Sequence, residues 1–115
     1  MSVHQLTGLF SLKGKTALIT GSSRGIGIAL ACGLGQAGAR VLINGRNADT
    51  VQAVVDELNS QSIAAKALIA DVTKQDDITA KIDDYETNIG PIDILINNAG
   101  MQHRQPLEHF DSEIF

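Results

Sequence analysis

Glycines at positions 21, 25 and 27 directly follow the apolar run Ala17-Leu18-Ile19, and they are the residues of this chain best suited to chemistry on a charged ligand. Glycine at this spacing permits a tight turn and lets backbone come close to a bound group. It also opens a helix whose first N–H groups face an anion. A diphosphate suits such a turn. The residues in question, Gly21, Ser23, Arg24, Gly25, Ile26 and Gly27, form one short stretch.

In a strand–turn–helix unit that binds a dinucleotide, the end of the second strand, about 20 residues past the turn, selects the cofactor. A carboxylate there accepts from the ribose 2′-OH of NAD. This chain reads Asn44-Gly45-Arg46 at that place and carries no carboxylate. Arg46 and the turn's own Arg24 instead offer two guanidinium groups suited to a 2′-phosphate. The pair favours NADP(H) over NAD(H), although a lone arginine is usually a solvated surface residue. Asp71-Val72 closes a third apolar run, where its carboxylate can accept from an adenine amino group or cap the helix that follows. Asn97-Asn98-Ala99-Gly100 closes a fourth. Small residues there let a flat ring or ribose lie against backbone, but the same four residues also make a plain strand-end turn.

The elements that position these residues follow from hydrophobic period. Residues 1–14 read as an arm packed by Leu9, Phe10 and Leu12, and residues 15–115 as one domain. Strands are predicted over 15–20, 40–44, 66–70 and 92–97. The helix over 24–37 places Ile26, Ala29, Leu30, Gly33, Leu34 and Ala37 on one face, with Gly33 allowing close packing and Gly38 as C-cap. Gly35 has no evident reason. Asn47 or Asp49 caps a second helix with the stripe Val51, Val54, Val55 and Leu58. Thr73 and Asp76 read as a capping box for a third, whose inner face is Ile78, Ile82, Tyr85 and Ile89. Gly90-Pro91 stops it, and a further helix is expected to start at Asp111. Alternating strands and helices imply an α/β, Rossmann-type doubly wound parallel sheet of about four strands in the order 3-2-1-4.

Composition narrows the function classes. The 115 residues are 43% hydrophobic and 19% charged, with a formal net charge of -4 and no block of like charges. That balance is ordinary for a globular domain and disfavours nucleic acid as the main partner. The single cysteine, Cys32, excludes a disulfide framework, and no histidine spacing suggests a metal site. Residues 1–14 lack the basic start and apolar core of a signal peptide, and no apolar run approaches membrane-spanning length, so a cytoplasmic location is expected.

Thr20-Gly21, Gly25-Ile26-Gly27, Asp71-Val72 and Asn97-Asn98-Ala99-Gly100, in that order and at those separations, resemble the cofactor-binding motifs of the short-chain dehydrogenase/reductase family. The linking phrases Asn44-Gly45-Arg46-Asn47 and Gly90-Pro91-Ile92-Asp93-Ile94-Leu95-Ile96, with Gln102-His103-Arg104, resemble a branch of it that interconverts a sugar acid and its keto acid with NADP(H). The resemblance implies that the turn holds phosphates, that Ser23, Arg24 and Arg46 take the 2′-phosphate, and that Asn44 is among the cofactor-binding residues. It implies further that Asp71 and Val72 meet adenine, that Asn98, Ala99 and Gly100 meet ribose, and that His103 and Arg104 lie near substrate. Tetramers are common in the family, which implies a homo-oligomer.

The family's catalytic serine, its tyrosine four residues before a lysine, and its helix asparagine have no counterparts here. The one tyrosine, Tyr85, is followed four residues later by Ile89. The chain therefore reads as the cofactor-binding half of such an enzyme, inactive alone, with no catalytic residue assigned. A stand-alone nucleotide-binding module and another short-chain carbonyl reductase are the alternatives, and a nucleotide-sugar epimerase fits the motifs less well. The fourth strand is expected to be an apolar, unpaired sheet edge that invites self-association.

Overall fold

Strands built mostly of apolar residues call for cover on both faces, and among the described residues three helices are long enough to supply it. The computed structural model describes residues 11–101. Strands β1 (Thr16–Ile19), β2 (Arg40–Gly45), β3 (Ala65–Ile69) and β4 (Ile94–Ile96) are parallel and lie side by side in the order β3-β2-β1-β4. They alternate with helices α1 (Gly25–Gln36), α2 (Ala48–Ser60) and α3 (Gln75–Asn88), and β4 leads into the short α4 (Asn98–Met101). In the register, Leu18 lies between Leu42 and Leu95. The expected class and strand order hold, with strand ends displaced by one or two residues. Most of the arm, the residues after Met101, His103, Arg104 and the helix expected at Asp111 lie outside the described residues. Leu12, at the arm's end, donates its N–H to the Ala37 carbonyl at 2.7 Å.

The period of two along each strand sorts the core into two layers. Ala17, Ile19, Val41 and Ile43 point to one face, where Ala31 of α1 and Val51, Val55 and Leu58 of α2 cover them. Leu18, Leu42 and Leu68 point to the other, against Ile78 and Tyr85 of α3. Val41, Leu42 and Ile43 are fully buried. Each such side chain contributes about 1.5–3 kcal/mol, which outweighs the cost of about 1 kcal/mol for each glycine inside α1.

Helix α1 does not present the face expected from its sequence. Its buried residues are Gly27 and Ala31, while Ile26 is 66% exposed and Ala29 and Gly33 face outward. Leu30 and Leu34 are partly buried against the core. Nearly every residue of this helix is small or apolar, so period alone cannot choose a face. Close approach chooses it instead. A Cβ at Gly27 would lie 2.6 Å from the Gly21 carbonyl oxygen, and one at Gly35 would overlap Ile63. Gly27, Ala31 and Gly35 recur every four residues and form the contact stripe, which gives Gly35 its reason. Gly33, credited with that role from sequence, meets nothing within 4 Å. Gly38 follows the cap residue Ala37 with φ +105°, the left-handed conformation expected of it.

Capping agrees at α2 and differs at α3. Asn47 accepts from the Thr50 N–H at 3.0 Å. Before α3, no Thr73–Asp76 box forms, and the cap residue Lys74 makes no side-chain cap bond. Asp71 Oδ1 instead accepts from the Thr73 N–H at 2.9 Å and the Thr73 hydroxyl at 2.6 Å. Asp77 Oδ2 accepts from the Asp71 N–H at 2.8 Å. The chain thus turns into α3 through an Asx turn, which uses the same residue types one step earlier. Ile89 is the C-cap and lies beyond the last helical residue, so it falls off the inner face and is 51% exposed.

The Thr73 hydroxyl, then the Thr73 N–H, hold the Asp71 carboxyl below its ordinary value of 3.8, against a smaller opposing effect of partial burial and with help from Arg46 and Lys74. A depressed carboxylate stabilises the fold fully above its unfolded value, and this contribution is lost as pH falls through the lower folded value. Thr73→Val is expected to flatten the acid limb of a plot of melting temperature against pH. An unchanged limb would show that this turn carries none of the acid sensitivity.

Candidate functional site

The carboxyl ends of the first three strands open on one groove of about 360 Å³. The turn after β1 contributes Gly21, Ser23 and Arg24, and the end of β2 contributes Asn44, Gly45 and Arg46. The segment after β3 contributes Ala70, Asp71, Val72 and Thr73, and Ala99 of α4 completes the lining. Residues named from four separate sequence motifs therefore meet at one place, outside the strand ends where open α/β sheets bind ligands. Gly25, Ile26 and Gly27 form the first turn of α1 next to it. His103 and Arg104 fall outside the described residues. A second cleft, of about 240 Å³, lies between α1 and α2 around Ile28, Val54 and Leu58, and its almost wholly apolar lining gives a phosphate nothing to bind.

The turn is built before any ligand arrives. Ser22 is fully buried; its hydroxyl donates to the Ile19 carbonyl at 2.6 Å and accepts the Asn44 N–H at 2.8 Å. Its own N–H donates to the Asn44 carbonyl at 2.9 Å. Asn44 Oδ1 accepts the Gly21 N–H at 2.9 Å, and Asn98 Nδ2 donates to the Gly21 carbonyl at 3.0 Å. Both asparagines are 1% exposed. Gly21 adopts φ +60°, and a Cβ there would sit 3.3 Å from Ala99, so left-handed geometry and close approach both require glycine. Thr20 ties the same corner to α4 by accepting the Ala99 N–H on its hydroxyl at 3.2 Å.

The site residues take different parts in this arrangement. Ser23, Arg24, Arg46, Asp71 and Val72 line the groove, and both arginines are exposed. Asp71 spends Oδ1 on Thr73, and Arg46 is near enough to lower its pKa slightly. Asn44 and Asn98, expected to meet cofactor, are buried; the Asn44 amide is fully bonded within the protein, whereas Asn98 bonds Gly21 through Nδ2 and its buried Oδ1 has no partner. Tyr85 lies in the α3-side core, away from the groove. Two residues went unrecognised. A Cβ at Gly45 would lie 2.8 Å from both Ser23 Oγ and Val51 Cγ2, so its absence lets the turn rest on β2. Thr73 fixes Asp71. Glycine at the end of an otherwise apolar strand was the available sign of the first.

The groove suits an anion on structural grounds. Arg24 precedes α1 in extended geometry with no side-chain cap bond, and no acidic residue occupies the helix's first turn. The first N–H groups of a helix lack intrahelical partners, so these await an acceptor from outside. A Cβ at Gly25 would meet nothing within 4 Å, which leaves the space over the turn open. Those features fit a dinucleotide diphosphate, and the two arginines fit an added phosphate.

Comparison with known proteins agrees with the geometry. The family model described as short chain dehydrogenase matches residues 15–115. The chain is 49% identical over 102 residues to gluconate 5-dehydrogenase of Gluconobacter oxydans, a match covering 89% of this chain and 40% of that protein. It is 44% identical over 108 residues to 5-keto-D-gluconate 5-reductase of Escherichia coli, covering 94% of this chain and 42% of that one. Among solved structures, a gluconate 5-dehydrogenase from Burkholderia cenocepacia in complex with NADP and tartrate is similar with a TM-score of 0.79 at 42% identity, covering 94% of this chain and 42% of its own. The chain thus spans about two fifths of the length of these relatives. On the match to the family model and on these identities, the chain belongs to the short-chain dehydrogenase family.

Proposed function

We propose that this chain is the NADP(H)-binding half of an oxidoreductase that interconverts D-gluconate and 5-ketogluconate. The observation that carries the reading is the convergence of Arg24 and Arg46 on one groove whose β2 end bears no carboxylate. In this reading the free N–H groups at the start of α1 hold the diphosphate, and Ser23, Arg24 and Arg46 hold the 2′-phosphate. Asp71 and Val72 flank the adenine, while Ala99 and Gly100 lie along the ribose. Asn44 and Asn98 hold the turn that does the binding. Bound there, the nicotinamide supplies or accepts the hydride. The named activities of the relatives and the NADP complex of a similar structure support this assignment. His103 and Arg104 are proposed to reach the sugar acid, or the carbonyl of a related substrate.

Titration of the purified chain with NADPH and NADH tests the cofactor. NADPH is expected to bind at least about tenfold more tightly, and Arg46→Ala to remove most of that gap, since one charge-assisted contact to phosphate is worth about 1.5–3 kcal/mol. Equal affinities would overturn the assignment.

A second reading concerns the 115 residues taken by themselves: a nucleotide-binding module without catalysis. The burial of the one tyrosine favours it, because a proton donor for a carbonyl must reach the substrate. The chain alone is expected to leave NADPH unoxidised in the presence of 5-ketogluconate, and turnover free of host enzyme would refute this.

The proposed protein is cytoplasmic and homo-oligomeric, and meets neither nucleic acid nor membrane as a partner. No helix among the described residues is long and apolar enough to cross a bilayer. Strand β4 pairs with β1 on one side, and Leu95 is 62% exposed. Apolar edges of this kind drive association, so Leu95→Lys is expected to shift the chain toward monomer in sedimentation. A wild-type chain that is already monomeric would remove the basis for an edge-driven oligomer.

A further inference from the structure

Asn44 is among the residues lining the groove, yet it is only 1% exposed and its side chain is bonded within the protein. Its amide makes three bonds at once. Oδ1 accepts from the Gly21 N–H at 2.9 Å, and Nδ2 donates to the Leu68 carbonyl at 3.0 Å and to the Ala70 carbonyl at 3.2 Å. Its backbone N–H and carbonyl are both taken by Ser22, at 2.8 and 2.9 Å. The residue therefore joins the turn after β1, the end of β2 and the end of β3. These are the three pieces of chain that carry Arg24, Arg46 and Asp71.

We infer that Asn44 is a positioning residue for the dinucleotide: it sets the spacing between the phosphate turn and the adenine side of the groove without touching the ligand. The inference rests on the cofactor reading above and adds a role for a residue that the sequence placed among the ligand contacts. The amide is suited to this by chemistry. One side chain must accept from an N–H and donate to two carbonyls at the same time, and only a carboxamide does so at this length. An aspartate has the same shape, but when ionised it places a negative oxygen against two carbonyl oxygens and offers no donor. When protonated it regains one donor while its other oxygen still accepts from Gly21. A buried carboxyl facing acceptors protonates well above the usual range. Of the groups hydrogen-bonded to Asn44, namely Gly21, Ser22, Leu68 and Ala70, none titrates; the charged residues lining the same groove are Arg24, Arg46 and Asp71.

The test compares wild type with Asn44→Asp, measuring NADP(H) affinity on folded protein as the ratio of variant to wild type from about pH 8 to about pH 5. Taking the ratio cancels titration of the cofactor's own phosphate. The variant is expected to bind about tenfold or more weakly at the upper end, and the ratio to recover toward one at the lower end. A folded variant that binds like wild type at every pH overturns the role, and so does a loss that does not change with pH. Because the variant can fail to fold, hydrogen exchange at the Gly21 amide of the free wild-type chain is the second measurement. Protection well beyond that of the Ser23 and Arg24 amides is expected, and exchange at an unprotected rate overturns the inference. Wild-type protein that protects Gly21 but binds neither NADPH nor NADH overturns the cofactor reading and Asn44's positioning role with it, leaving the bond network as a purely structural feature.

Discussion

The peptide of Gly21 is held at both ends by buried asparagines, its N–H by Asn44 and its carbonyl by Asn98. An unpaired backbone group in so dry a place costs about 1–3 kcal/mol, so each asparagine is needed where it is. Together they fix the turn between a strand that precedes it in the sheet order and one that follows. Every other feature of the groove depends on that corner. The left-handed Gly21 sets where Ser23 and Arg24 fall, and Gly27 lets α1 begin against the turn instead of above it. The direction of α1, and with it the direction of its free N–H groups, is a consequence.

The two core layers supply the rigidity this arrangement uses. Their apolar side chains are buried on both faces of β1 and β2, the central pair. The loops at the carboxyl ends are short and tied back by side chains: Ser22 to Ile19, Asp71 to Thr73, Thr20 to Ala99. A preformed site of this kind needs little ordering when its ligand binds, and ordering is a main cost of affinity. The far side of β4 is different, with a three-residue strand and a 62% exposed Leu95. The match to gluconate 5-dehydrogenase of Gluconobacter oxydans covers 40% of that protein's length.

Much of the fold was legible because its rules leave few choices. Mostly apolar strands separated by helical patterns point to a parallel sheet, and right-handed crossovers narrow its order. The glycine turn was legible because Gly21 and Gly25 adopt positive φ, at +60° and +59°, where other residues are rare. The face of α1 was not. Its sequence Gly-Ile-Gly-Ile-Ala-Leu-Ala-Cys-Gly-Leu-Gly-Gln offers apolar residues all round, and the true contact follows from the absence of side chains at 27 and 35. The entry to α3 was ambiguous for a related reason: Asp71, Thr73, Asp76 and Asp77 are all competent acceptors, and only geometry selects Asp71 and Asp77. Asn44 was expected among the cofactor contacts and is one of the groove's lining residues, but its orientation depends on carbonyls at the end of β3 that no local pattern reveals.

The central claim is that motifs far apart in sequence form one dinucleotide groove, and mapping amide shifts by NMR as NADP is added to the labelled chain tests it most directly. The account requires the largest changes at Ser23, Arg24, Gly25 and Ile26, at Gly45 and Arg46, and at Asp71 and Val72, all saturating together. Changes confined to one of these stretches, or centred on the apolar cleft between α1 and α2, would contradict it.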